Sequence, residues 1–339
     1  MYALLRSLLF CLNPERAHHW ALRMLEFIRM MPGMSSVLTQ IYHPQKESRI
    51  ELFGCSFRHR LGLAAGFDKN ARHLDALANL GFAFIEVGSV TAQAWDGNPK
   101  PRLFRLKNDM AIINRMGLNN DGCSAIAQRL AQRTVGIPIF VNVAKTADST
   151  IEGQDAIEDY CESIRSVKAN ADVLVINISC PNSGDGRTFE DPDALDTLLA
   201  AVHEAVGPDG PPFLVKLSPD LSEEGIDHVV RLATRHGASG FTATNTTTDR
   251  RGLKMSAQSL EGIGLGGLSG HPLNQKAVHV VRTLRHKTDK PIIGVGGITN
   301  AESAQAFIDA GASLVQVYSG FVYRGPSLIR EVSDHLSIS

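Results

Sequence analysis

The residues of this chain best suited to chemistry stand where short apolar runs break off. In residues 172–187, DVLVINISCPNSGDGR, the run Val173-Leu174-Val175-Ile176 ends in Asn177-Ile178-Ser179-Cys180-Pro181-Asn182. The run has the length and β-branched content of a fully buried strand. Beyond it stands a thiol between two side-chain amides, with Pro181 barring further ladder pairing and Gly184 and Gly186 loosening the loop. A strand that empties such groups from its C-terminal end is where a parallel α/β barrel keeps its chemistry. The alternative is a strand–loop corner whose asparagines satisfy backbone groups.

The same pattern recurs along the chain. In order come Lys69 after AAGFD, Ser89 after FIEVG, Asn142 and Lys145 in VNVAK, Asn177 in VINIS and Lys216 in LVKLS, then Thr244-Asn245-Thr246, Gly296-Gly297 and Tyr318-Ser319-Gly320. Buried lysines and amides are costly unless paired, so several at one barrel mouth imply a polar ligand. For Lys69 the competing role is a surface ion pair with Asp68. Glycines after the last two strands sit where such barrels bind phosphate through backbone N–H groups, although simple turn geometry also selects glycine there. No cluster of His, Asp and Glu suggests a metal. A phosphate site plus many amide and lysine donors suits a mononucleotide cofactor. Lys216 would place positive charge beside a flavin's reducible ring.

These residues are carried by a regular alternation. Strands are predicted at 61–66, 82–90, 137–145, 172–179, 211–220, 240–247, 291–297 and 313–320, each followed by a helical stretch, with a long connection before the helix near 121–133. Eight such units point to a closed (β/α)8 TIM barrel, with a doubly wound open sheet as the alternative. RIELFGCSFRHR (49–60) reads as a hairpin turning at Gly54.

The chain has 339 residues, 20% charged and 43% hydrophobic, with a net charge of −1, so it carries no basic footprint for nucleic acid. Its five cysteines (Cys11, Cys55, Cys123, Cys161 and Cys180) form no CxxC pair, which suits a reducing compartment. Leu4, Leu5, Leu8, Leu9 and Leu12 make one helical stripe; after Asn13-Pro14, an N-cap and first-turn proline, Ala17, Trp20, Ala21, Met24, Leu25, Ile28 and Met31 make another. Charges interrupt the apolar run well short of the ~18 residues of a membrane span. Two short amphipathic helices with arginines on the wet face suit an interfacial membrane patch, or else a pair of helices packed on the domain.

With these residues assembled, the chain resembles the dihydroorotate dehydrogenases, specifically their membrane-associated, quinone-dependent class. The motifs that carry the resemblance are NPERAH (13–18), LGLAAGFDKN (61–70), GNPKPRLFRL (97–106), NRMGLNN (114–120), NISCPN (177–182), VKLSPDLSEE (215–224), ATNTTTDR (243–250), GGLSGHPL (266–273), IIGVGGI (292–298) and LVQVYSGF (314–321). The resemblance implies residues 1–46 as an N-terminal membrane and quinone-channel segment and 47–339 as a barrel holding FMN. It implies flavin contacts at Ala65, Gly66, Ser89, Asn142, Asn177, Lys216, Thr244, Gly270, Gly297, Tyr318 and Ser319. Orotate contacts are implied at Lys69, Asn114, Arg115, Met116, Gly117, Leu118, Asn177, Asn182, Asn245 and Thr246, and quinone-channel positions at His18 and Arg105. Amide donors and acceptors fit the edges of a carboxylated pyrimidinedione, and a lysine fits its carboxylate.

The implied reaction is oxidation of dihydroorotate to orotate in pyrimidine biosynthesis, with electrons passing to a membrane quinone. The implied location is peripheral, on the cytoplasmic face of a bacterial inner membrane. Cys180 departs from the class, which usually carries serine as the base, and matches the soluble classes. A thiol of ordinary pKa ~8.5 is partly ionised near neutrality, so proton removal by it is chemically sound. The substitution keeps open a soluble-type enzyme that uses fumarate or NAD.

Overall fold

The computed structural model describes residues 2–46, 48–179, 189 and 191–337. It begins with helices α1 (Tyr2–Cys11), α2 (Pro14–Met30) and α3 (Met34–Tyr42). Asn13 caps α2 by accepting from Glu15 N and Arg16 N, with Pro14 in the first turn, as the Asn-Pro pair predicts. Pro32-Gly33, a pair that reads in the sequence as the end of the helical segment, does not end it. Gly33, at φ +78°, turns the chain into α3, which the apolar stripes did not single out. The expected hairpin comes next as β1 (Ile50–Leu52) and β2 (Cys55–Phe57), paired antiparallel across Gly54.

The remaining strands are β3 (Leu61–Leu63), β4 (Ile85–Val90), β5 (Leu103–Leu106), β6 (Ala111–Asn114), β7 (Ile139–Val143), β8 (Val173–Asn177) and β9 (Phe213–Leu217), then β10 (Gly240–Ala243), β11 (Gly267–Gly270), β12 (Ile292–Val295) and β13 (Leu314–Val317). The eight predicted strands form a closed barrel in the order β3-β4-β7-β8-β9-β10-β12-β13. Closure is made by β13 on β3, in parallel register Val315↔Leu61, Gln316↔Gly62 and Val317↔Leu63, which excludes the open sheet. The long connection after β4 holds β5 and β6. With β11 they form a separate antiparallel sheet in the order β11-β6-β5.

Strand alternation divides the barrel residues. Outward positions such as Ile85, Val141, Leu174, Ile176 and Val215 join the helices in the main core. Inward positions Phe84, Phe140, Val175, Leu214, Ile293 and Leu314 form a floor, plugged by Phe57 from the hairpin. The Phe57, Phe84 and Phe140 rings pack at centroid distances of 5.5, 6.1 and 4.9 Å. Gly62 makes room for them, since a Cβ there would lie 2.4 Å from the Phe84 ring. One step further up the strands the inward positions turn polar: Glu86, Asn142, Lys216, Thr242 and Gln316 are all buried.

The N-terminal helices are fastened to this body by polar contacts. Tyr2 Oη donates to Val322 O at 2.6 Å, and Arg6 to Tyr323 O at 2.8 Å. Arg102 forms a buried ion pair with Glu15 of α2 at 2.7 Å. In α3, Leu38 is buried, and the carbonyl of Ile41 accepts from Arg330 at 3.2 Å.

Candidate active site

The C-terminal ends of the barrel strands open into one cleft, holding about 1230 Å³ of empty space counted to its open mouth. Of the flavin and orotate positions implied by the sequence, it is lined by Ala65, Gly66, Lys69, Ser89, Asn114, Met116, Gly117, Leu118, Asn177, Lys216, Thr244, Asn245, Thr246, Gly270, Gly297, Tyr318 and Ser319. The β11-β6-β5 sheet contributes Leu103, Ile112, Asn114, Gly267, Ser269 and Gly270 to the wall. Cys180 and Asn182 lie outside the described residues.

The polar residues form one connected network. Glu86 Oε1 accepts from Asn142 Nδ2 at 2.8 Å and from Lys216 Nζ at 3.1 Å, while its Oε2 accepts from Gln316 Nε2 at 2.7 Å. Asn142 Oδ1 accepts from Ser89 Oγ. Ser89 Oγ in turn accepts from Asn177 Nδ2 at 3.3 Å. Asn177 and Lys216 are register partners on β8 and β9, which places the amide beside the ammonium. Asn245 Nδ2 reaches Asn177 Oδ1 at 3.3 Å and Ser179 Oγ at 3.0 Å. The chain thus enters the Cys180 segment from the network itself. Asn142 is fully buried under the cleft and acts on it through Ser89.

Lys69 sits at the side of the cleft with Gly66 O as acceptor at 2.9 Å. Among the described residues Lys69 makes no direct ion pair with Asp68, whose carboxylate accepts the N–H groups of Asn70, Arg72 and His73 at 3.3, 3.0 and 2.7 Å. Burial, only partly offset by Glu15, pushes the Lys69 ammonium down to about 8. Tyr318, whose hydroxyl is 3.4 Å from Gly66 O, is pushed up to about 12 by burial.

The 114–118 segment is fixed by Asn98, which donates from N to Met116 O at 3.1 Å and from Nδ2 to Arg115 O at 3.0 Å. Gly117, at φ +71°, is required there because a Cβ would stand 2.7 Å from Asn98 N. Arg115 turns away from the cleft: its guanidinium donates to Pro101 O, Leu265 O and Ile263 O and lies 4.7 Å over the Phe104 ring.

A second cavity, of about 1080 Å³ counted to its open mouth, lies between α2 and the barrel. His18, His19 and Leu22 line it from α2, and Lys69, Leu103, Met116 and Tyr318 belong to its wall and to the cleft's wall alike. His18 Nε2 is 2.9 Å from Phe67 O, so this nitrogen carries the proton and donates. Burial, with the Lys69 charge adding to it, pushes His18 down to about 3, so the ring is neutral at physiological pH. Arg105 does not line this cavity. It donates to Leu9 O and Leu12 O at the end of α1 and lies 4.3 Å over the Phe10 ring. Residue-by-residue reading of the sequence passed over Glu86 and Gln316. Their signal is a lone polar residue inside the apolar runs FAFIEVGSV and LVQVYSG.

A parallel eight-stranded barrel whose mouth gathers two ammonium groups, several amides and glycine turns is built for a flat, anionic, hydrogen-bonding ligand, the class of site found in barrel oxidoreductases. The family described as dihydroorotate dehydrogenase matches residues 48–338. Proteins named dihydroorotate dehydrogenase (quinone) are similar to the whole chain. The one from Rhodococcus erythropolis is 45% identical over 98% of this chain and 93% of its own. The one from Haloarcula marismortui is 42% identical over 99% and 93%. Among solved structures, DHODH from Eimeria tenella in complex with ferulenol superposes with a TM-score of 0.84 at 32% identity, covering 96% of this chain and 90% of that one. The chain belongs to the dihydroorotate dehydrogenase family and is an oxidoreductase.

Proposed function

We propose that the cleft binds FMN and dihydroorotate together, that Cys180 is the base, and that residues 1–46 seat the enzyme on a membrane from which quinone reaches the second cavity. Dihydroorotate is oxidised to orotate, a step of pyrimidine biosynthesis, and the acceptor is a quinone, for which the relatives at 42–45% identity are named.

The observation that carries the reading is the convergence of Lys69, Lys216 and the amides of Asn114, Asn177 and Asn245 on one cleft. FMN fits the residues present. Gly297, at φ +67°, lets the backbone pass where a Cβ would stand 2.6 Å from Gly270 O, the close approach that a phosphate-binding turn requires. Gln316 lines the cleft, and its buried Oε1 has no partner among the described residues, so an N–H of a bound ring can satisfy it. When bound, FMN supplies the two-electron acceptor for the hydride.

The protein's own groups do the rest. Lys69 holds the substrate carboxylate, while Asn114, Asn177, Asn245 and Thr246 match the ring edges. Cys180, one residue beyond the Ser179–Asn245 contact, takes the proton from the ring carbon. Lys216 and Ser89 face the cofactor, together with Ala65, Gly66, Thr244, Gly270, Tyr318 and Ser319.

The membrane reading rests on where apolar surface is exposed. Among the described residues, the exposed large apolar side chains apart from Leu265 belong to the N-terminal segment, with Leu4 at 78%, Trp20 at 63%, Phe27 at 65% and Met30 at 75%. Among those residues no helix is long and apolar enough to cross a membrane; the attachment we propose is peripheral, through the exposed apolar side chains of residues 1–46. We place it on the cytoplasmic face of the inner membrane. The second cavity, with neutral His18, runs from α2 to the cleft wall and suits the quinone.

An anaerobic titration tests the reading. The purified protein is expected to show a flavin spectrum that dihydroorotate bleaches and that quinone restores, while fumarate and NAD leave it bleached. A colourless protein, or recovery with fumarate or NAD alone, overturns it.

A further inference from the structure

Glu86 lies in the middle of β4 with 0% exposure, at an inward position of the barrel. A carboxylate buried among apolar walls is costly, and a well-packed apolar side chain would hold such a barrel as well or better. Stability alone therefore does not account for it.

What Glu86 does is visible in its partners, which come from three other strands: Asn142 on β7, Lys216 on β9 and Gln316 on β13. A carboxylate only accepts hydrogen bonds. Both amides must therefore turn their NH2 groups toward Glu86 and their oxygens away from it. Asn142 Oδ1 then faces Ser89 Oγ, and Gln316, which lines the cleft, is left with an Oε1 that has no partner among the described residues. The Lys216 ammonium uses one of its three donors on the carboxylate and is balanced by its charge, with two donors left over.

We propose that Glu86 is a positioning residue that writes the floor of the cleft: it fixes Gln316 as an acceptor, Ser89 as a donor to Asn142, and Lys216 as a charge-balanced ammonium. This inference rests on the FMN reading above. Its consequence is electrostatic. With Glu86 present, the lysine and the carboxylate nearly cancel next to the flavin. Without the carboxylate, the ammonium is free to stabilise the electron density that reduction adds.

The test is the two-electron midpoint potential of bound FMN in wild type and in Glu86→Gln, a change of nearly equal shape. The reduced form is expected to gain at least tenfold in the variant, which is a rise of about 30 mV for a two-electron couple. A purely structural role would lower the thermal midpoint and leave the potential where it was. A Glu86→Gln protein that holds FMN at an unchanged or lower potential overturns the proposal. If that variant is not recovered folded with flavin, Glu86→Gln/Lys216→Gln decides. Removing both charges is expected to restore a folded chain, and failure to fold would assign Glu86 some role other than balancing Lys216. A wild-type protein without flavin refutes the cofactor reading instead, so the two failures are distinguishable.

Discussion

Lys69 offers a pH test of the substrate site. Its ammonium has one protein acceptor at 2.9 Å, a neutral carbonyl, and burial has pushed it from 10.5 to about 8. That displacement corresponds to roughly 3 kcal/mol withheld from the charged form, at 1.36 kcal/mol per unit. A substrate carboxylate supplies the missing counter-ion, so orotate binds the charged form. The ammonium fraction falls from about nine-tenths at pH 7 to about one-tenth at pH 9, and orotate affinity should fall about tenfold over that interval. The folded pKa lies below the unfolded value, so between about 8 and 10.5 the unfolded chain binds the extra proton. Stability without ligand therefore rises through that window while affinity falls. Lys69→Gln should cost roughly 1.5–3 kcal/mol of orotate binding at pH 7 and remove the pH dependence. The assay is a spectral titration of the oxidised enzyme with orotate at pH 7, 8 and 9. Equal wild-type affinity at pH 7 and 9, or a Lys69→Gln variant with the wild-type profile, would refute the placement of the carboxylate at Lys69.

Three further outcomes are expected. Cys180→Ala should retain flavin but slow its anaerobic bleaching by dihydroorotate by about 10²–10⁴, read by stopped flow; bleaching at the wild-type rate would move the base elsewhere. Gly62→Ala should destabilise the fold by roughly 1–3 kcal/mol in urea unfolding, because its Cβ would meet the Phe84 ring at 2.4 Å. Trp20→Ser/Phe27→Ser should lower co-sedimentation with lipid vesicles and quinone turnover while leaving dihydroorotate-driven bleaching intact, and unchanged sedimentation would dismiss α2 as the membrane face.

The barrel was legible because each of its eight strands is a short apolar run, buried on both faces and followed by a helical stretch. The β11-β6-β5 sheet was not. Its strands are four residues each, and β6 and β11 pair Ala111 with Gly270, far apart in sequence, so no local pattern announces them. Helix α3 was hidden by Pro32-Gly33, which reads as a stop but acts as a turn. The site was legible wherever a polar residue comes directly after an apolar run, as at Ser89, Asn177, Lys216 and Asn245. It was illegible where side-chain direction decides. Arg115 sits between two cleft-lining residues yet spends its guanidinium on loop carbonyls, and Arg105 spends its own on the end of α1.

The two levels of the barrel interior explain each other. An ion pair and two amides, Asn142 and Gln316, buried at one level of the barrel contribute little net stability, and they hold one geometry only if the strands carrying them cannot shift. The strands are held from below, where Phe57, Phe84 and Phe140 fill the floor beneath Glu86, Asn142 and Lys216. The same segment that begins at the cleft with Ala65 and Gly66 reaches the second cavity at Phe67 and Lys69. Asp68, between them, accepts three backbone N–H groups and is itself buried, so the segment cannot adjust one end without the other. His18 binds α2 to that segment through Phe67 O. The helix with the most exposed aromatic surface is thereby tied by one hydrogen bond to the backbone that presents Lys69.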